Sequence, residues 1–137
     1  MMYIKLYQEK HIERVSLQPF EDSIEVQDNE ELLKFPNKFV FVNNQLVKKP
    51  YITAEKLENN INLRIFQNDQ IYMFNGTLKF RIHKYQTGIF WSISEIDVNF
   101  SNGFGVFDMS NLDNGVYEIT LDDKEFYFDS YIIEKQS

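Results

Sequence analysis

Two histidines, no cysteine and twenty-one carboxylates set the chemistry available to this chain. A Ser-His-Asp arrangement needs a positioned histidine as base. His83 follows Lys79 and Arg81 at alternate positions, on the polar side of a strand, and reads as a solvated surface histidine. His11 sits in the charged run Glu9-Lys10-His11 and reads the same way. Neither has a His or Glu partner at zinc-ligand spacing. Without cysteine, disulfides, thiolate nucleophiles and Cys-ligated zinc are excluded.

Paired carboxylates could serve glycoside hydrolysis, with Glu95, Asp97, Asp108, Glu118 and Asp129 as candidates, but chance pairs abound among so many acids and a solvated face explains them better. Asp122-Asp123 and Asp28-x-Glu30-Glu31 carry oxygen ligands suited to calcium, yet neither follows the EF-hand spacing. Turn and helix-cap roles account for both. Gly103-Phe104-Gly105 lacks the third glycine and the lysine of phosphate-binding loops and reads as a bulge or tight turn. The expectation is therefore no catalytic residue, no cofactor and no metal.

The aromatics remain. Phe90-Trp91 and Phe126-Tyr127-Phe128 lie in strand-like runs, where adjacent side chains point to opposite faces. One of Phe90 and Trp91, and either Tyr127 or its two neighbours, must face away from a local core. Exposed rings anchor protein partners or stack on sugars. Phe90, Trp91 and Tyr127 are thus the candidate partner-binding residues. The outer face could be covered by residues 1-50 or by another subunit.

Composition indicates what holds these residues. Aromatics make up 16% of the chain, and alanine occurs only as Ala54, which favours strands over helices. At 137 residues the chain is long enough for a proper core. The formal charge of −7 disfavours nucleic acid and anionic membranes as partners. No apolar run approaches the length of a membrane span, and no signal-peptide h-region is visible near Met1-Met2-Tyr3. The start reads as that of a whole gene product made in the cytoplasm.

Alternation predicts strands over Met2–Leu6, His11–Leu17 and Ser23–Val26, with Val15 and Leu17 sharing a face. Asp28–Phe35 is the one short helix, capped by Asp28 and limited by Pro36. Asn43-Asn44 joins a hairpin, and a soft boundary falls near Pro50. Further strands are expected over Ile61–Phe66, Ile71–Phe74, Thr77–His83, Ile89–Ile93, Ile96–Phe100, Val106–Phe107, Val116–Leu121 and Glu125–Ile133. Turns are expected at Gln67–Gln70, Asn75-Gly76, Gln86–Gly88 and Asp113–Gly115. Leu78, Phe80 and Ile82, like Tyr117, Ile119 and Leu121, should share a buried face.

The fold expectation is all-β: an antiparallel β-sandwich over 51-137, preceded by a small β-rich segment over 1-50. Leu112-x-x-Gly115-x-Tyr117-x-Ile119 resembles the tyrosine corner of immunoglobulin-like sandwiches, where the Tyr hydroxyl bonds upstream backbone. Strand density and the run Asn111–Tyr117 resemble the small immunoglobulin-like modules of bacteriophage virions, such as those of baseplate upper proteins. That resemblance covers residues 55-137 and carries no catalytic residues. It implies a non-enzymatic structural or attachment role in a virion or tail, with self-association or other virion proteins as partners. A carbohydrate-binding module and a small acidic inhibitor of a host defence protein are the alternatives.

Overall fold

Period-two patterning governs the whole chain, and the computed structural model, which describes residues 1–136, is all-β apart from one short α-helix and a single 3-10 turn. The chain forms two compact units, Met1–Lys49 and a second from Pro50 onward.

The first unit contains β1 (Met2–Tyr7), β2 (His11–Ser16), β3 (Ile24–Val26), α1 (Glu30–Lys34), β4 (Phe39–Val42) and β5 (Gln45–Lys48). Its strands lie in the order β3-β1-β2-β4-β5. Met2, Ile4, Ile12, Val26, Leu32 and Phe39 form its core. Asn43 and Asn44, both at positive φ, make the turn from β4 to β5.

Three local expectations are corrected here. The cap of α1 is Asn29, whose Oδ1 accepts from the Leu32 amide at 3.0 Å; Asp28 instead pairs with the N-terminal amine at 2.8 Å. Leu17 lies beyond the end of β2 and is exposed. His11 is buried, not solvated: it lies on the face of β2 opposite Ile12, between Tyr7 of β1 and Val40 of β4 in the register, with its ring centroid 5.4 Å from that of Tyr7.

The second unit contains β6 (Tyr51–Leu57), β7 (Asn60–Gln67), β8 (Gln70–Ile71), β9 (Gly76–Gln86), β10 (Ile89–Ser101), β11 (Phe104–Asp108), β12 (Gly115–Leu121), β13 (Tyr127–Phe128) and β14 (Tyr131–Lys135). The order is β13-β6-β7-β11-β10-β9-β12-β14, with β8 added beside β7. The sheet curls so that Ile61, Leu63 and Ile65 of β7 share one core with Leu78, Phe80 and Ile82 of β9 and with Tyr117 and Ile119 of β12. Its two ends are tied together: the Lys56 amide donates to Tyr131 Oη at 3.2 Å, and Lys56 Nζ donates to the Glu134 carbonyl at 2.8 Å.

The expected inward set of β9 is buried, while Lys79 and Arg81 stay exposed; on β12, Leu121 is only half-buried. Elsewhere the chain departs from its pattern. Ile89–Ile93 and Ile96–Phe100 are one continuous strand, β10, with a bulge at Ile93 between Ser92 and Ser94. Phe74 is not in a strand but packs its ring over Gly76, which begins β9 rather than turning. A Cβ on Gly76 would lie 2.7 Å from the Phe74 ring, so this glycine provides space rather than a positive φ.

Glu125–Ile133 is likewise not one strand. Asp123 accepts from the Glu125 amide at 2.8 Å and turns the chain, after which β13 pairs in parallel with β6 and β14 returns to β12. The excursion carries Phe126 onto Phe74 and Phe128 onto Phe80, with ring centroids 5.0 and 5.5 Å apart.

Candidate interaction surface

The β9–β10 hairpin is the longest pairing in the molecule, and its tip outruns its neighbours. Thr87 and Gly88, at φ 52° and 86°, form its two-residue turn. Pairing of β12 with β9 runs from Leu121↔Phe80 to Tyr117↔Lys84 and stops there. Residues 85–90 therefore extend past the last β12–β9 pair as an arm, with Trp91 opposite Lys84 at its base.

Register assigns the faces of that arm, because directly opposed residues share a face. Trp91 lies opposite Lys84, which lies opposite Tyr117, so Trp91 continues the core face beyond the core. Lys84 closes the end of the core with Nζ 5.8 Å from the centre of the Tyr117 ring. Phe90 lies opposite Tyr85 on the other face, in a T-shaped pair with centroids 5.3 Å apart. Trp91 Nε1 donates to the Gln86 carbonyl at 3.2 Å, which fixes the indole along the arm. Tyr85 is 48% exposed, Ile89 50%, Trp91 50% and Ile93 47%, so about half of each of these large side chains meets solvent. Both faces of the arm are apolar.

Phe90 and Trp91 thus belong to one arm but to opposite faces. Tyr127 is elsewhere, half-buried on β13 opposite Tyr51, with β6, β7 and β11 between it and β10 in the strand order. The three do not form one row of rings. Tyr85, Ile89 and Ile93 were missed in the sequence. Closing a two-residue turn on Thr87-Gly88 would have set Tyr85 opposite Phe90, whereas Ile93 depends on the bulge.

Several carboxylates are engaged with cations or amides. Glu95 lies 3.5 Å from Lys79 Nζ and 3.1 Å from Arg81, and Arg81 also reaches Asp122 at 3.2 Å. Asp108 accepts from the Ser110 amide at 2.8 Å, and this bond holds its carboxyl below the ordinary range. Glu31 is held low by its hydrogen bond to Lys48, 2.6 Å away. His83 is half-buried, with Nε2 3.0 Å from Thr120 Oγ1. Among the described residues, no group of three or more His, Asp or Glu is placed to hold a metal ion. No helix among them is long and apolar enough to cross a membrane.

One buried cation had no sequence signal. Lys135 Nζ donates to the carbonyls of Met109, Ser110 and Leu112 at 2.7, 3.1 and 2.9 Å. It pins the loop that leads into β12. Nothing but its place at the end of β14 distinguishes it from the surface lysines.

No protein-family model matches the chain, and neither a curated protein nor a solved structure does.

Proposed function

We propose that this protein is a non-enzymatic interaction module that holds a protein partner through the β9–β10 arm. The observation that carries this reading is the half-exposure of Tyr85, Ile89, Trp91 and Ile93 on one hairpin whose tip extends past its last pair with β12. Clustered apolar side chains of this kind are costly in water and mark contact surfaces. The net charge of −7 favours protein over nucleic acid. The second unit is read as a two-layer, immunoglobulin-like sandwich, with β10-β9-β12-β14 facing β11-β7-β6-β13 across the common core. Under the resemblance to phage virion modules, the partner would be another protein of a particle or tail.

The test is affinity capture with tagged wild-type protein and with Trp91→Ala and Tyr85→Ala, alongside sedimentation at several concentrations. A partner retained by the wild type and lost from the variants supports the reading. A monomer that captures nothing and hydrolyses a glycan or ester overturns it.

A further inference from the structure

The edge of β10 is open for most of its length. Its pairing with β9 runs from Ile89 to Phe100, but on the other side, among the described residues, it pairs only with β11, through Phe100↔Gly105 and Ser101↔Phe104, before β11 leaves to pair with β7. The directions of the main-chain groups follow from the turns. A two-residue turn with both φ values positive closes on a pair that exchanges two hydrogen bonds. Gln86–Ile89 is one such pair, and Ser101–Phe104, around Asn102 and Gly103 at φ 52° and 81°, is the other. Alternating from both ends, with the bulge at Ile93 absorbing the mismatch, turns the N–H and C=O groups of Phe90, Ser92, Glu95, Asp97 and Asn99 away from β9.

We infer that this edge takes up an extended, basic peptide segment of another protein as an added antiparallel strand, with Trp91 and Ile89 gripping its apolar side chains. The inference rests on the proposed role of the arm and names the chemistry of its partner. Added strands gain affinity from main-chain hydrogen bonds and specificity from alternate side chains. The charge of the edge selects the occupant. Residues 89–99 contain Glu95 and Asp97 and no Lys or Arg; Glu95 is already engaged by Lys79 and Arg81 of β9, so Asp97 is the carboxylate that selects the occupant. Two copies paired in antiparallel fashion about Asp97 or Ile96 would set carboxylates opposite carboxylates, which is destabilising. A strand with Lys or Arg at those positions gains where a second copy loses. Asp97, opposite Lys79 in the register, is on the face turned from the core and is exposed.

The experiment is selection from a display library of random peptides long enough to span β10, followed by binding to wild type, Asp97→Pro, Asp97→Lys and Trp91→Ala. Proline at an outward-facing edge position removes one added-strand donor and leaves the β9 ladder intact. Lysine reverses the charge without touching the backbone. Enriched peptides should be net positive, with apolar residues at alternate positions, and their affinity should fall with salt. Each Asp97 variant should weaken them about fivefold, the worth of one hydrogen bond or one close charge pair, with the thermal midpoint kept in Asp97→Pro and lowered in Asp97→Lys, which faces Lys79. No enrichment, or peptides that bind both Asp97 variants as tightly as wild type, overturns the inference. If such peptides are lost with Trp91→Ala, the arm remains the contact and only the edge is dismissed. A concentration-dependent dimer dissolved by Asp97→Pro would put a second copy on the edge and also overturn it.

Discussion

The Tyr117 hydroxyl donates a 2.7 Å hydrogen bond to the carbonyl oxygen of Asp113, four residues upstream. The ring is buried, so the bond ties the Asp113–Gly115 turn to the core at the point where β12 begins. Tyr117→Phe keeps the ring and removes the bond. The expected loss is about 0.5–1.5 kcal/mol, read as a lowered denaturant midpoint at constant slope. An unchanged midpoint would mean that the hydroxyl does not hold the corner.

Lys135 holds the other end of the same loop. Lys135→Met keeps the aliphatic stem but removes the ammonium from the carbonyls of Met109, Ser110 and Leu112, of which Met109's keeps the Leu112 amide at 3.0 Å. A buried group deprived of a charged partner loses about 1.5–3 kcal/mol, so this variant should be less stable than Tyr117→Phe. Amide exchange should quicken from Met109 to Leu112. Stability equal to wild type would place the ammonium in water instead.

Gly103→Ala tests the turn between β10 and β11. Its φ is +81°, and a Cβ there would lie 2.3 Å from the Tyr72 carbonyl oxygen. Backbone strain alone costs about 1–3 kcal/mol, and the clash adds to it. Gly88→Ala, at φ +86° with nothing near its Cβ, should lose less. Equal losses would show that the Tyr72 carbonyl is not where the structure has it.

Much of the fold was legible because alternation is a strong signal wherever one face is buried, as at Leu78-Phe80-Ile82 and at Tyr117-Ile119. Turns set by Asn and Gly at positive φ, such as Asn43-Asn44 and Thr87-Gly88, were equally readable. What failed depends on partners distant in sequence. β13 exists because Phe126 and Phe128 reach Phe74 and Phe80, and Gly76 is glycine because of the Phe74 ring above it. The arm was half legible: adjacency separated Phe90 from Trp91, but exposure required knowing that the pairing of β12 with β9 ends at Lys84.

Acid should weaken both units. Glu31 and Asp108 are held below the usual carboxylate range, the first by its bond to Lys48 and the second by the Ser110 amide. A depressed carboxyl contributes stability that is complete above its unfolded pKa, about 4, and is lost as pH falls through its lower folded value. Asp108→Asn should therefore lower the urea midpoint at neutral pH and converge on the wild type at the acid end. A gap that stays constant across that range would show that the charge is not what Ser110 recognises.

Trp91 is the chain's only tryptophan, so its fluorescence reads the arm directly. In the free protein, emission should be red-shifted and readily quenched by acrylamide, since half the indole meets solvent. Saturation with a peptide enriched on β10 should shift emission to the blue and shield it from quenching, with the same midpoint as the heat of binding. Buried-type emission from the free protein, or a spectrum unchanged while calorimetry records full binding, would contradict the assignment of this arm as the surface that holds the partner.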